Sequence, residues 1–123
     1  MFNLEINDLD KKIWDEELNE FVPDKVYDIH THIYQWQSNL DKNKNTGPYK
    51  YQGENFQNVS FDLLNKVDNK LMPERIVERL SFPFPYNYPC DFDNSNHYVS
   101  SQTSNHQESD NLILINPMMI KEE

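Results

Sequence analysis

Asp28-Ile29-His30-Thr31-His32 is the stretch of this sequence whose residue types and spacing suit chemistry. Side chains alternate along a strand with period two, so Asp28, His30 and His32 are expected to share one face. A rise of ~3.3 Å per residue sets the two imidazoles ~6–7 Å apart at Cα. Two neutral imidazoles at that spacing can converge on one ion, and imidazole suits zinc and neighbouring transition metals. A nearby carboxylate can orient such a ligand through its other ring nitrogen. His30 and His32 are therefore candidate metal ligands, with Asp28 as the orienting carboxylate. A bare His-x-His triplet is a common pattern. Its weight here comes from its place at the C-terminal end of a strand, where barrel enzymes carry their sites.

The elements that must position this pair follow from periodicity. Residues 8–22 predict an amphipathic helix, with Leu9, Ile13, Trp14, Leu18, Phe21 and Val22 at helical spacing. Asp8 is its expected N-cap, and Pro23 ends it. Residues 25–33 predict the strand, with Tyr27, Ile29 and Ile33 on a face buried by helices. Residues 37–58 form a long polar loop with turn signals at Gly47-Pro48 and Gly53. A second helix is expected over 60–71, capped by Ser60, and a strand over 76–82. The Phe82-Pro83-Phe84-Pro85 run must lie at or past that strand's end, because Pro cannot donate to a central ladder. A helix over 92–106 and a buried strand over 111–116 complete the order. Alternating strands and helices imply parallel pairing and an α/β fold.

The chain has 123 residues, and its formal charge is −10. Phosphate binding needs clustered Lys and Arg, so this balance argues against nucleic acid. No apolar run approaches the ~20 residues of a membrane span, and no basic-then-apolar leader opens the chain. Cys90 is the lone cysteine, so no intrachain disulfide framework exists. A cytoplasmic protein is the expectation. Hydrophobic residues make up only 37%, so the core is expected to be thin.

Pro23-Asp24-Lys25-Val26-Tyr27-Asp28-Ile29-His30-Thr31-His32-Ile33 resembles the first strand of the amidohydrolase superfamily. The preceding Ile13-Trp14-Asp15-Glu16-Glu17-Leu18 and the later Phe82-Pro83-Phe84-Pro85 are similar to its "amidohydrolase 2" branch. So is the stretch from Asn94 to Val99 leading to Asn116-Pro117. The resemblance runs loosely over most of the chain and is sharp only at the His-x-His strand. It implies a metal-dependent hydrolase on a (β/α)8 TIM barrel, with His30 and His32 as ligands of a divalent metal, zinc foremost. It also implies a Lys or Glu near the fourth strand, His on the fifth and sixth, and Asp on the eighth. None of these can be placed here. A barrel takes ~250 residues, so the expectation is an N-terminal part of one barrel domain: the first three strands with an N-terminal helix. Such a part is expected to be inactive alone, and to need a homo-oligomer or the missing C-terminal half to cover its edges.

The expected substrate is a small molecule. Cyclic amides, esters and lactones all suit a metal-activated water. A decarboxylase of the same branch is the alternative reaction, and a non-catalytic acidic partner-binding protein the alternative class. A hydrolase acting on phosphoesters fits the Phe-Pro-Phe-Pro run less well. Tyr34, Trp36 and Phe84 could form a substrate wall, as could Tyr49, Tyr51 and Phe56 in or beside the long loop. The competing reading buries them as core. His97 and His106 read as solvated. Cys90 lacks a base nearby in sequence. Arg75 and Arg79, at i and i+4, read as surface charge or an anion site.

Overall fold

Strand β1 (Lys25–His32) pairs in parallel with β4 (Ile76–Phe82), and β4 pairs in parallel with β5 (Asp110–Asn111). The computed structural model of the chain describes residues 4–41, 58–86 and 89–116. Tyr49, Tyr51, Phe56, most of the 37–58 stretch and everything after Asn116 lie outside the described residues. A small antiparallel pair joins β2 (Tyr34–Gln35) to β3 (Asn58–Val59). Helices α1 (Asp8–Ile13), α2 (Phe61–Leu71) and α3 (Phe92–Thr103) complete an α/β arrangement. Among the described residues, no helix is long and apolar enough to cross a membrane.

Local chemistry explains where the helices start. Asn7, one residue before the expected Asp8, caps α1: its side chain accepts from Asp10 N, and the Asp10 carboxylate accepts from Asn7 N. Past Ile13 the helix widens into a π-helical turn over Trp14–Leu18, then unwinds before Pro23. Trp14 is the buried member of the expected apolar face; Leu9, Leu18 and Phe21 are exposed. Ser60 caps α2 by accepting from Leu63 N, and Asp91 caps α3 by accepting from Asn94 N.

Among the described residues, two clusters form the core. Ile33, Phe61 and Val99 are one; Tyr34, Val59, Tyr86 and Cys90 are the other, and Leu64 packs against both. Phe61 also joins α2 to α3, because its amide donates to Gln102 Oε1. His106 is not solvated as expected. It stacks on Phe61 at 3.6 Å between ring centres. His97 is exposed.

Strict alternation in β1 fails. Asp28 pairs with Arg79, but the next paired positions are Thr31 with Ser81. Three steps on β1 match two on β4, which is a bulge of one residue. Residues opposite each other share a face, so Asp28 and Thr31 lie with the buried Arg79 and Ser81 on the helix side. His32, opposite Phe82, lies on the other side. Asp28, His30 and His32 therefore do not share one face. The expected buried face fails too: Ile33 is fully buried, but Ile29 is 74% exposed and Tyr27 46%.

The two arginines are also relocated. Their spacing brings side chains together on a helix, whereas here it runs along a strand, over ~13 Å. Arg75 lies over the Trp14 ring and donates to the carbonyls of Asn19 and Val22, tying α1's end to the base of β4. Arg79 is 1% exposed, pairs with Asp68 of α2, and lies 4.8 Å from the Phe61 ring centre.

The 111–116 run is not a buried strand. Pairing with β4 covers Asp110–Asn111, and Leu112 N adds one bond to Ser81 O. Leu112, Ile113 and Ile115 are more than half exposed. Asn96 of α3 takes over at Leu114, accepting from its amide and donating to its carbonyl, each at 2.8 Å. A side-chain amide thus substitutes for a neighbouring strand.

Removing one member of a buried ion pair leaves the other uncompensated. Asp68→Ala is expected to lower unfolding stability by ~3 kcal/mol, read as the urea midpoint. Arg79→Met with Asp68→Leu should recover most of that loss. Equal losses in the single and double variants would show that the pair does not carry the joint.

Candidate metal centre

The bulge decides where the imidazoles point. Asp28 is the residue that holds it. One carboxylate oxygen accepts from His30 N at 2.9 Å, and the other accepts from the Thr31 hydroxyl at 2.7 Å. Partial burial pushes this carboxyl up. The Thr31 hydroxyl, the His30 amide and the positive charge of Arg79 outweigh that and hold it below its ordinary value. The Asp28 side chain is thus spent on the backbone turn. The expected contact between Asp28 and an imidazole is not made.

The ring centres of His30 and His32 are 5.2 Å apart, with planes at 78°. Phe82 stands edge-on to both, at 4.9 and 4.5 Å, and Phe84 lies 5.2 Å from His32. His32 Nδ1 is 3.1 Å from the carbonyl oxygen of Pro83. A carbonyl can only accept, so Nδ1 carries the proton and Nε2 keeps its lone pair. This is the arrangement that prepares an imidazole to ligate a metal. Pro83 does what Asp28 was expected to do. Burial lowers the pKa of His32, the Pro83 carbonyl opposes that, and neighbouring His30 adds to the lowering. The net effect favours the neutral ring.

The ring separation is compatible with two positions of a tetrahedral ion. Imidazoles bound at ~2.0–2.1 Å, with a tetrahedral angle between them, have ring centres ~5 Å apart. The observed separation meets that requirement. Among the described residues, no group of three or more His, Cys, Asp and Glu could hold an ion. The fit is therefore to half of a ligand set.

The expected substrate wall divides. Phe84 touches His32. Tyr34 lies behind Phe84 at 5.4 Å and is buried in the core. Trp36 reaches the cluster through Tyr86, at 6.1 Å, and packs against the same core. Phe82 is the ring that touches both imidazoles. Its signal in the sequence was parallel pairing, which sets it opposite His32. Cys90 is buried beside Ser95 Oγ, and burial pushes its thiol up, away from the reactive thiolate.

Set against family models, curated proteins and solved structures, the chain has no match.

The folded state holds Asp28 ionised below its ordinary pKa of 3.8. Folding therefore binds fewer protons there, and the stabilisation is complete above that value. It disappears as pH falls through the lower folded pKa. Asp28→Asn is expected to cost ~1 kcal/mol at pH 7. Its stability should fall less steeply than the parent's below pH 4, read by urea melts across that range. Parallel curves for the two proteins would remove Asp28 from this role.

Proposed function

We propose that the chain is part of a metal-dependent hydrolase of the amidohydrolase type, comprising the first strands of a (β/α)8 barrel. The observation that supports it most is the prepared imidazole of His32, its Nδ1 on the Pro83 carbonyl, beside His30 at tetrahedral spacing. The pair sits at the C-terminal end of β1 in a parallel sheet, where barrel enzymes carry their chemistry.

In this reading His30 and His32 hold a divalent metal, zinc by ligand type. Bound there, such an ion supplies an activated water and a polarised carbonyl. The chain's own groups do the rest that can be assigned. Asp28 keeps the bulge that turns both rings outward. Pro83 fixes the His32 tautomer. Phe82 packs against both rings and Phe84 against His32. A small cyclic amide, ester or lactone would meet the ion against these two phenyl rings. The carboxylate that accepts the water proton belongs outside the described residues.

A second reading has an observation of its own. Ile29, Tyr27, Ile76, Ile113 and Ile115 are exposed, which suits a non-catalytic acidic protein that docks a partner there. Metal separates the two. Zinc is expected to bind the purified chain and raise its melting temperature. His32→Ala should lower zinc affinity at least tenfold without unfolding the chain, read by calorimetric titration. Indifference to zinc and to both histidines would favour the docking protein. Sequencing the transcript across the codon for Glu123 tests the reaction itself. The hydrolase reading expects a continuing frame with further His-bearing strands and a late Asp. A stop codon with no such remainder would overturn it.

A further inference from the structure

The His pair is half of a ligand set, and among the described residues it lies on a strand with one unpaired side. Strand β1 stands at the edge of its sheet, with β4 as its neighbour. His30 and Ile29 are exposed beside that edge. No third metal-binding side chain joins them among the described residues. A closed zinc site takes four ligands in tetrahedral array. A two-fold axis repeats one surface patch on both sides of an interface. A patch that supplies two correctly spaced imidazoles therefore supplies four across such an axis.

We propose that two copies of this chain share one zinc ion, each contributing His30 and His32. The inference rests on the metal-binding reading of that pair and adds where the other two ligands come from when the chain is alone. The 5.2 Å ring separation suits two ligands of a tetrahedral ion. The Pro83 carbonyl leaves the Nε2 of each His32 as the ligating atom. Ile29, 74% exposed, gives the junction apolar surface next to the ion. Net charge works in the opposite direction. Each copy carries −10, so the copies repel until a dication or salt offsets the repulsion. Assembly depends on metal because the ion is the shared ligand centre of the junction. In the isolated chain the site so formed has four protein ligands and no open position, so there it is a clip between chains.

The test is zinc titration of the purified chain, followed by sedimentation velocity and by metal analysis of the separated species. The expected result is a doubling of the 14.8 kDa mass, with one zinc per two chains. A chelator should reverse it, and His30→Gln or His32→Gln should abolish it. Far-UV circular dichroism checks that each variant folds. Chelator reversal on the parent chain tests the same point without any variant. Cobalt in place of zinc should give the intense visible bands of tetrahedral coordination. One zinc per monomeric chain would overturn the shared site while supporting the His pair as ligands. A dimer that persists in chelator would overturn it as well. A folded chain that takes up no zinc would overturn both readings.

Discussion

Two hydrogen bonds accepted by one carboxylate decide which way the two imidazoles face. Without a bulge, a strand carrying Asp28, His30 and His32 would present all three to the side lined by Arg79 and Ser81. That side is packed against helices, and an imidazole pair there would need buried partners. The Asp28 carboxylate accepts from the His30 amide and the Thr31 hydroxyl, and the chain gains one residue relative to β4. From that point the alternation is reversed. Thr31 turns inward beside Ser81, and His32 turns outward beside Phe82. Ile33, the next residue, then enters the core fully buried, beside Phe61 and Val99. One local turn thus serves both the site and the packing beneath it.

The helix side of the sheet is built unusually. Its largest fully buried side chain is an arginine. Arg79 takes the place of the branched aliphatic residue that a parallel strand ordinarily offers. Its guanidinium pairs with Asp68 and lies over Phe61, and the far face of Phe61 belongs to His106. Arg79 Nε and Ser81 Oγ are buried without a hydrogen-bond partner among the described residues. An ion pair of this kind contributes little net stability, because desolvation cancels much of its attraction. It does fix geometry. A guanidinium bonded to a carboxylate tolerates fewer arrangements than a leucine against a leucine. The register of α2 on β4 follows from it, and so does the place of Phe61 under Ile33.

Much of the frame was legible because single turns of chain announce it. Ser60 sits where the cap of α2 is needed; of the expected stripe Phe61, Leu64, Val67 and Leu71, the last stays 44% exposed. The strand at 76–82 has the bounds its apolar residues suggest. His30 and His32 were legible as a pair for the same reason: they are near in sequence. What escaped is what depends on a neighbour. Nothing in residues 25–33 by themselves reveals a bulge, since the extra residue exists only relative to β4. Arg79 reads as surface charge until α2 brings Asp68 beside it. Leu112 to Ile115 read as buried because the run is apolar. Apolar composition makes burial favourable but does not provide a partner, and here Asn96 claims the backbone first. Pro83 as the orienting acceptor for His32 needed the strand pairing as well.

The thin core gives the His pair a consequence for folding. The described apolar surface is divided between two small clusters, while Ile29, Ile76, Ile113 and Ile115 stay outside them. Stability from such a core is a small difference between large opposing terms. An ion bound by the folded chain and not by the unfolded one adds its whole binding free energy to that difference. The two imidazoles meet only after β1 has bulged and β4 has brought Phe82 and Pro83 alongside. In the metal-binding reading proposed above, ion uptake would report on the same pairing that orders the sheet. With so little apolar surface buried, the His30–His32 geometry depends on the β1–β4 register, and an ion held there in the proposed reading would strengthen that register in return.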